Sequence, residues 1–384
     1  MKRLGEVCEV IAGQSPESKF YNEDEKGLPF YQGKKEYGEK FIGEPTTWTT
    51  KITKEAEKDD ILMSVRAPVG PINFSTQKIC IGRGLAAIRA GKLIHKDFLY
   101  NFLLKHESEI TGNSGAVFDS INKSQIEEIQ ISIPPLAEQQ RIVSVLDEAF
   151  AAIDQAKENT QRNLQNAKAL FQSELNFIFT NKGAGWVEKK LGEVCEYDKT
   201  PNKSDNLPYV GLEDIQSNTG KLIGTLTPRS VKSLTFQFNN EHVLYGRLRP
   251  YLNKVLLPDF EGHCSTEIFP IKPNKNVLNR NFLFHWLISL ETMYKINATW
   301  TGATLPRANM NLVLEFELYV PPLQQQTQIV QQLDKLSGET KKLEAQYAQK
   351  LNSLEALKKS ILEKAFSGEL KTTAIAVERE RSIR

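Results

Sequence analysis

The sequence predicts an α+β protein: two α/β-mixed globular domains separated by two long antiparallel helices in a coiled coil, the whole an internal repeat with pseudo-two-fold symmetry. Three observations carry this reading. The chain holds two copies of one unit at a constant spacing. Each copy ends in a long proline-free stretch with apolar residues at helical steps. Ahead of each stretch lie short β-type runs broken by glycine and proline. The expected boundaries are 1–135 and 183–320 for the globular domains, 136–182 and 321–370 for the helices, and 371–384 for a tail.

The repeat is read residue by residue. Lys2-Arg3-Leu4-Gly5-Glu6-Val7-Cys8-Glu9 returns as Lys189-Lys190-Leu191-Gly192-Glu193-Val194-Cys195-Glu196. Pro134-Pro135-Leu136 returns as Pro321-Pro322-Leu323 at the same shift. That shift also carries Gln139 to Gln326, Leu146 to Leu333, Asp147 to Asp334 and Phe179 to Phe366. Cys80 and Cys264 correspond only at a slightly smaller shift, so small insertions intervene. A duplication of this length gives a tandem pair and not a solenoid.

In the globular parts, strands are expected at Ile72–Phe74, Lys78–Ile81, Ala86–Ile88 and Ile129–Ile133 in the first copy. The second offers Lys254–Leu257, Ile268–Ile271 and Phe316–Val320. One helix per part is expected, near Lys96–His106 and Arg280–Met293. The coarse reading is a mixed sheet in each.

After Pro134-Pro135, which stop an incoming strand, the period changes. Val143, Leu146, Phe150, Ile153, Leu164, Ala167, Phe171 and Ile178 share one stripe, and Leu333, Leu336, Leu343, Tyr347, Leu354, Leu357 and Ile361 make a second. Of these, Leu146, Phe150, Ile153, Leu164, Phe171, Leu333, Leu343, Tyr347, Leu354, Leu357 and Ile361 are the candidate helix-packing residues. Lys157, Thr160 and Asn163 weaken the first stripe, and Gly338 marks a candidate kink in the second helix. At about 1.5 Å per residue each helix reaches roughly 65 Å, and the other copy's stripe is the partner already tethered in the chain. Apolar residues off the stripes, such as Ile142 and Leu170, point to a further helical partner.

Composition narrows the function classes. With 40% hydrophobic and 25% charged residues the chain reads as an ordinary globular protein. No apolar run approaches 18 residues and no secretory stretch opens the chain, so a cytoplasmic protein without membrane contact is expected. Cys8, Cys80, Cys195 and Cys264 are scattered, which gives no metal spacing and no disulfide framework. His95, His106, His242, His263 and His285 show no ligand spacing either, so no metal site is expected.

The net charge of +2 does not announce nucleic-acid binding. Residues 1–135 hold 18 basic and 19 acidic side chains, and residues 183–320 hold 15 and 14. Any DNA contact must therefore come from basic residues sorted onto one face. The loops suited to it combine Arg or Lys with Gly, Ser, Thr or aromatic residues. In the first copy these loops supply Gln14, Ser15, Tyr31, Gln32, Lys34, Lys35, Ser64, Arg66, Arg83 and Ser114. In the second they supply Tyr209, Arg247, Arg249, Ser265, Thr266, Thr301 and Arg307.

The segment Ile133-Pro134-Pro135-Leu136-Ala137-Glu138-Gln139-Gln140-Arg141-Ile142 resembles the proline–glutamine signature opening the long helices of type I restriction–modification specificity subunits. Val320-Pro321-Pro322-Leu323-Gln324-Gln325-Gln326 is its second appearance, with Gln324 and Gln325 in place of Ala137 and Glu138. Phe366-Ser367-Gly368-Glu369-Leu370 resembles that family's helix-ending segment. Asp60–Arg66 and His242–Pro250 resemble two variants of one strand and turn of its target recognition domains. The resemblance spans nearly the whole chain; the tail after Lys371 matches nothing.

It implies two target recognition domains reading the halves of a split double-stranded DNA site, with the paired helices as spacer. It also implies two methyltransferase (modification) subunits and a restriction/translocase subunit as partners. S-adenosylmethionine, ATP and Mg would belong to those partners, leaving this chain non-catalytic and without a cofactor. A methyltransferase would need Asn or Asp before Pro-Pro and an aromatic after it; Ile133, Val320, Leu136 and Leu323 stand there instead. A nuclease would need clustered carboxylates, for which Asp24-Glu25-Lys26 is the nearest and reads as a solvated turn. The remaining alternative is a helical scaffold without DNA binding.

Overall fold

The computed structural model describes residues 1–110, 120–204, 206–301 and 305–369. They form two compact units: one of residues within 1–159 together with 350–369, the other within 160–349. Each is built from two main sheets, a two-stranded clasp and a helical layer.

In unit 1 a four-stranded antiparallel sheet runs in the order β2 (Cys8–Ala12), β10 (Leu85–Ala90), β7 (Ile61–Ser64), β8 (Ile72–Phe74). A second sheet runs β3 (Tyr21–Asn22), β5 (Trp48–Thr49), β4 (Leu28–Tyr31), β9 (Ile79–Ile81), β6 (Glu55–Ala56). The ends of the globular part are clasped by β1 (Lys2–Arg3) against β11 (Gln130–Ile131). Strand alternation sorts the core. Ile61, Met63, Ala86 and Ile88 face helix α1 (Lys96–Ile110), with Phe98 and Leu103 among their neighbours. Leu62, Leu85 and Ala87 turn the other way, to Tyr31, Ile79 and Ile81 of the second sheet. The central strands are thus buried on both faces, which is why they lack an alternating polar pattern. A short helix, α2 (Lys123–Glu127), is closed by a capping box between Asn122 and Gln125.

Unit 2 repeats this plan. After β12 (Val187–Lys190) and the single turn α4 (Leu191–Val194), its four-stranded sheet runs β13 (Cys195–Tyr197), β19 (Ile268–Pro273), β16 (Val243–Gly246), β17 (Val255–Leu256). Its smaller sheet is β14 (Tyr209–Val210), β18 (Gly262–Ser265), β15 (Thr235–Phe238), with β14 parallel to β18 as β4 is to β9. Val243, Tyr245 and Ile271 face the helices, while Leu244 and Ile268 face the smaller sheet. The helix expected over Arg280–Met293 is two helices, α5 (Arg280–Ile288) and α6 (Leu290–Asn297). Ser289 divides them: its backbone is extended, and its hydroxyl lies 2.7 Å from the Trp286 carbonyl and caps the Thr292 N–H. The short helix α7 (Met310–Leu314) and β20 (Glu317–Val320) complete the unit, β20 pairing with β12.

The two 45-residue helices are α3 (Leu136–Thr180) and α8 (Leu323–Ser367), each continuous. Unit 1 contains the start of α3 and the end of α8. There Asp154 meets Lys358 at 3.2 Å and Lys157 meets Glu355 at 2.6 Å, so partner numbers fall as numbers rise and the pair is antiparallel. Phe98 and Phe102 pack against Phe366, which draws the end of α8 onto α1. In unit 2 the end of α3 and the start of α8 share a core of Leu175, Val330 and Leu333 with the globular part.

Several expectations for the helices are refined here. Leu146, Ile153 and Leu333 are buried, and so are Thr160 and Ala167, which continue the seven-residue step of the α3 seam. Phe150, Leu164, Phe171, Tyr347, Leu354 and Ile361 are half-buried. Leu343 and Leu357, expected on the packed stripe, are 37% and 47% exposed. One neighbouring helix covers a narrow seam, and the second apolar column of α8 turns away from it. Gly338 does not break α8.

The repeated glutamine joins helix to globular part in both copies. Gln139 is fully buried; its Nε2 donates to the carbonyls of Pro134 (2.8 Å) and Leu93 (3.0 Å), and its Oε1 accepts from His95 N–H (2.8 Å). Gln326 does the same with Pro321 (2.8 Å), Val277 (2.8 Å) and Asn279 (2.7 Å). A primary amide fits because it alone offers two N–H donors and an acceptor at one point.

Candidate nucleic-acid interface

In unit 1 three separate loops are drawn together. Gly13 N–H donates to Leu85 O (2.9 Å) and Gln14 N–H to Ile81 O (3.0 Å), so the chain leaving β2 crosses the turn between β9 and β10. Only glycine fits this crossing, since a Cβ on Gly13 would lie 2.2 Å from the Gly82 carbonyl. Ser15 Oγ donates to Gln32 Oε1 (2.9 Å) and accepts from the Arg83 N–H (3.2 Å). Gln14, Ser15, Gln32 and Arg83 therefore share one surface. Arg66 is exposed nearby, because Val65 N–H donates to Gly84 O (2.9 Å) beside Arg83. Lys34 and Lys35 are exposed in the turn after Gln32.

Two candidates do not reach this surface. Tyr31 is 1% exposed, and its hydroxyl donates to Gly43 O (2.9 Å). Burial pushes the phenol up to about 12, with Glu44 and Glu36 adding to the effect. It is a core residue because its side chain lies on the face of the second sheet that packs on Leu62, Leu85 and Ala87 of the first. Ser64 is also buried; its hydroxyl lies 3.1 Å from Arg66 O and 3.0 Å from Pro68 O, so it folds the turn that presents Arg66. Ser114 lies outside the described residues.

In unit 2 the corresponding loops carry different chemistry. Arg247 N–H donates to Glu267 O (2.9 Å), Ala308 N–H to Arg247 O (2.9 Å) and Arg249 N–H to Pro306 O (2.7 Å). These bonds join the loops at 246–250, 265–267 and 305–308. Thr301, exposed, exchanges backbone hydrogen bonds with Arg307 (3.0 and 3.1 Å). Arg249 is exposed in a left-handed conformation with φ of 51°. Ser265 Oγ accepts from Glu267 N–H (3.2 Å), and Thr266 between them is half-buried. The Glu267 carboxylate receives Arg247 Nε at 2.8 Å and Arg307 Nε at 3.0 Å. Burial alone would raise its pKa, but hydrogen bonds and charge from the two arginines outweigh burial and hold it low.

Sequence reasoning missed Glu267, and it missed Arg229, whose guanidinium lies over the half-buried Tyr209 ring at 5.1 Å. Burial raises the Tyr209 phenol pKa, while a Ser265 hydrogen bond and Arg229 work against it. Neither Glu267 nor Arg229 sits in a glycine-rich motif; a comparison of the two copies position by position is the signal that finds Glu267. Among the described residues no group of three or more His, Cys, Asp or Glu side chains could hold a metal ion. Among the same described residues no helix is long and apolar enough to cross a membrane.

Similarity to known proteins agrees with this architecture. The family model described as "Type I restriction modification DNA specificity domain" matches residues 1–164 and again 183–353. The putative type I restriction enzyme MjaX specificity subunit of Methanocaldococcus jannaschii is 39% identical over 176 residues, 45% of this chain and 40% of that protein. The type I restriction enzyme EcoDI specificity subunit of Escherichia coli is 28% identical over 318 residues, 72% of this chain and 71% of that one. A solved chain from work on complex assembly and conformational transition of the type I R-M system shares the fold. It aligns with a TM-score of 0.75 at 19% identity, over 96% of this chain and 97% of that one. The chain spans less than half the length of the MjaX relative and most of the EcoDI relative. With its family model matched twice, once on each copy of the repeat, the chain belongs to the type I restriction modification DNA specificity family.

Proposed function

We propose that this chain is the non-catalytic subunit that reads a bipartite DNA sequence for a type I restriction–modification complex, each globular part reading one half-site. One observation carries the reading: two copies of one scaffold present corresponding loops with different side chains. Gln14, Ser15, Gln32, Arg66 and Arg83 occupy them in unit 1, and Tyr209, Arg247, Arg249, Ser265 and Arg307 in unit 2. A shared scaffold with divergent loops suits a split target whose halves differ. Arg and Gln are the side chains that read guanine and adenine edges, and Lys and Ser suit phosphates.

The paired helices α3 and α8 act as spacer and as the docking surface for two methyltransferase subunits, with a restriction/translocase subunit completing the complex. S-adenosylmethionine, ATP and Mg bind those partners, and the work is done in the cytoplasm, where the DNA is. Coexpression with methyltransferase subunits in cells lacking other such systems, followed by mapping of methylated bases, tests this. A bipartite motif should appear only when the chain is present. Methylation at the same sites without it would exclude a role in recognition.

A further inference from the structure

The triad of Glu267, Arg247 and Arg307 has a direct counterpart in unit 1 that differs at every member. Backbone pairing fixes the correspondence. Val65 N–H donates to Gly84 O as Arg247 N–H donates to Glu267 O, and the bridge between Arg66 and Ser120 matches that between Leu248 and Arg307. Val65, Gly84 and Ser120 therefore stand where Arg247, Glu267 and Arg307 stand in unit 2. Unit 1 could not carry the carboxylate: a Cβ on Gly84 would lie 2.4 Å from the Gln32 carbonyl. Two arginines and the glutamate that links them occur together in one copy and together are missing from the other.

The carboxylate touches both arginines at Nε, the inner edge of each guanidinium. Arg307 Nη1 leans weakly on Leu305 O at 3.4 Å, and both side chains remain about one-third exposed. A guanidinium has five N–H donors in a fixed fork, so holding Nε turns the terminal nitrogens outward in a set plane. A bidentate contact to a guanine edge or a phosphate needs such a plane.

We propose that Glu267 is a specificity-determining positioning residue: it orients Arg247 and Arg307 as a paired reading head for the half-site read by unit 2. This rests on the DNA-reading function proposed above. An anionic side chain beside the phosphate backbone opposes non-specific binding, so Glu267 raises discrimination while lowering sequence-independent affinity.

The test uses the full chain assembled with its methyltransferase subunits. Binding is measured to duplexes carrying the mapped site and to single-base-pair variants in each half, at several salt concentrations. For Glu267→Gln, discrimination at one or more base pairs of the unit 2 half-site should fall on the order of tenfold, the size of one bidentate contact. Discrimination in the other half should hold, and non-specific affinity should stay equal or rise. Unchanged discrimination in both halves would overturn the proposal, as would a uniform loss on all duplexes, the mark of a folding defect. The double variant Arg247→Ala, Arg307→Ala separates the two levels of the argument. It should lose tenfold or more in affinity, with a shallower salt dependence. If it discriminates as the parent does, this surface does not meet DNA and the reading of unit 2 fails with it. If it loses binding while Glu267→Gln changes nothing, only the role of Glu267 fails.

Discussion

At the scale of single residues, the buried amides of Gln139 and Gln326 make the firmest claim on stability. Each satisfies two carbonyls and one N–H at the junction of a globular part and its long helix. Alanine would leave those groups unpaired in the interior, at about 1–3 kcal/mol apiece for groups that water cannot reach. Gln139→Ala and Gln326→Ala should each destabilise by about 2–4 kcal/mol in urea unfolding. A change under about 0.5 kcal/mol would contradict this account. The thiols make a pH-dependent prediction. Burial pushes Cys8 up to about 11 and Cys195 up to about 12, from an ordinary value near 9. Their folded pKa exceeds the unfolded one, so this contribution is complete below pH 9 and is lost as pH rises from there through the folded values. Thermal midpoints should therefore drop above pH 9, and a Cys8→Ala, Cys195→Ala variant should drop less.

At the scale of elements, Gly338 lies in the interior of α8 with nothing within 4 Å of where a Cβ would be. Gly338→Ala should raise stability by about 0.5–1 kcal/mol, through helix propensity alone. Destabilisation there would mean the helix is not continuous at that position. The helices were the most legible elements, because a 45-residue apolar period with no proline leaves little choice of structure. The expected role of Leu343 and Leu357 was less legible, since periodicity shows that a column is apolar without showing how wide the neighbour's cover is. The helix break at Ser289 hides inside an apolar run, where a single serine cap outweighs propensity. Strands such as β7 and β10 lack alternation because both faces are buried, which is why the two-sheet layering did not show in the pattern. In the candidate interface, the glycine-rich loops were readable as turns. The inward aim of Tyr31 and Ser64 was not, because it depends on which sheet lies behind them.

At the scale of the whole molecule, the duplication does two things at once: it repeats a scaffold and lets its loops diverge. If the paired helices set the unread gap of the target, removing seven residues from each should shorten that gap. Seven residues span about 10 Å of helix, roughly three base pairs of duplex. The methylated motif should keep both halves and lose about three base pairs between them. An unchanged gap would remove the spacer role while leaving the readers intact. The most direct measurement of the central claim exchanges residues 1–135 for the same segment of another family member and maps the methylated motif in cells. Half of the motif should change to that of the donor while the other half stays. A motif unchanged in both halves would contradict the assignment of one half-site to each globular part.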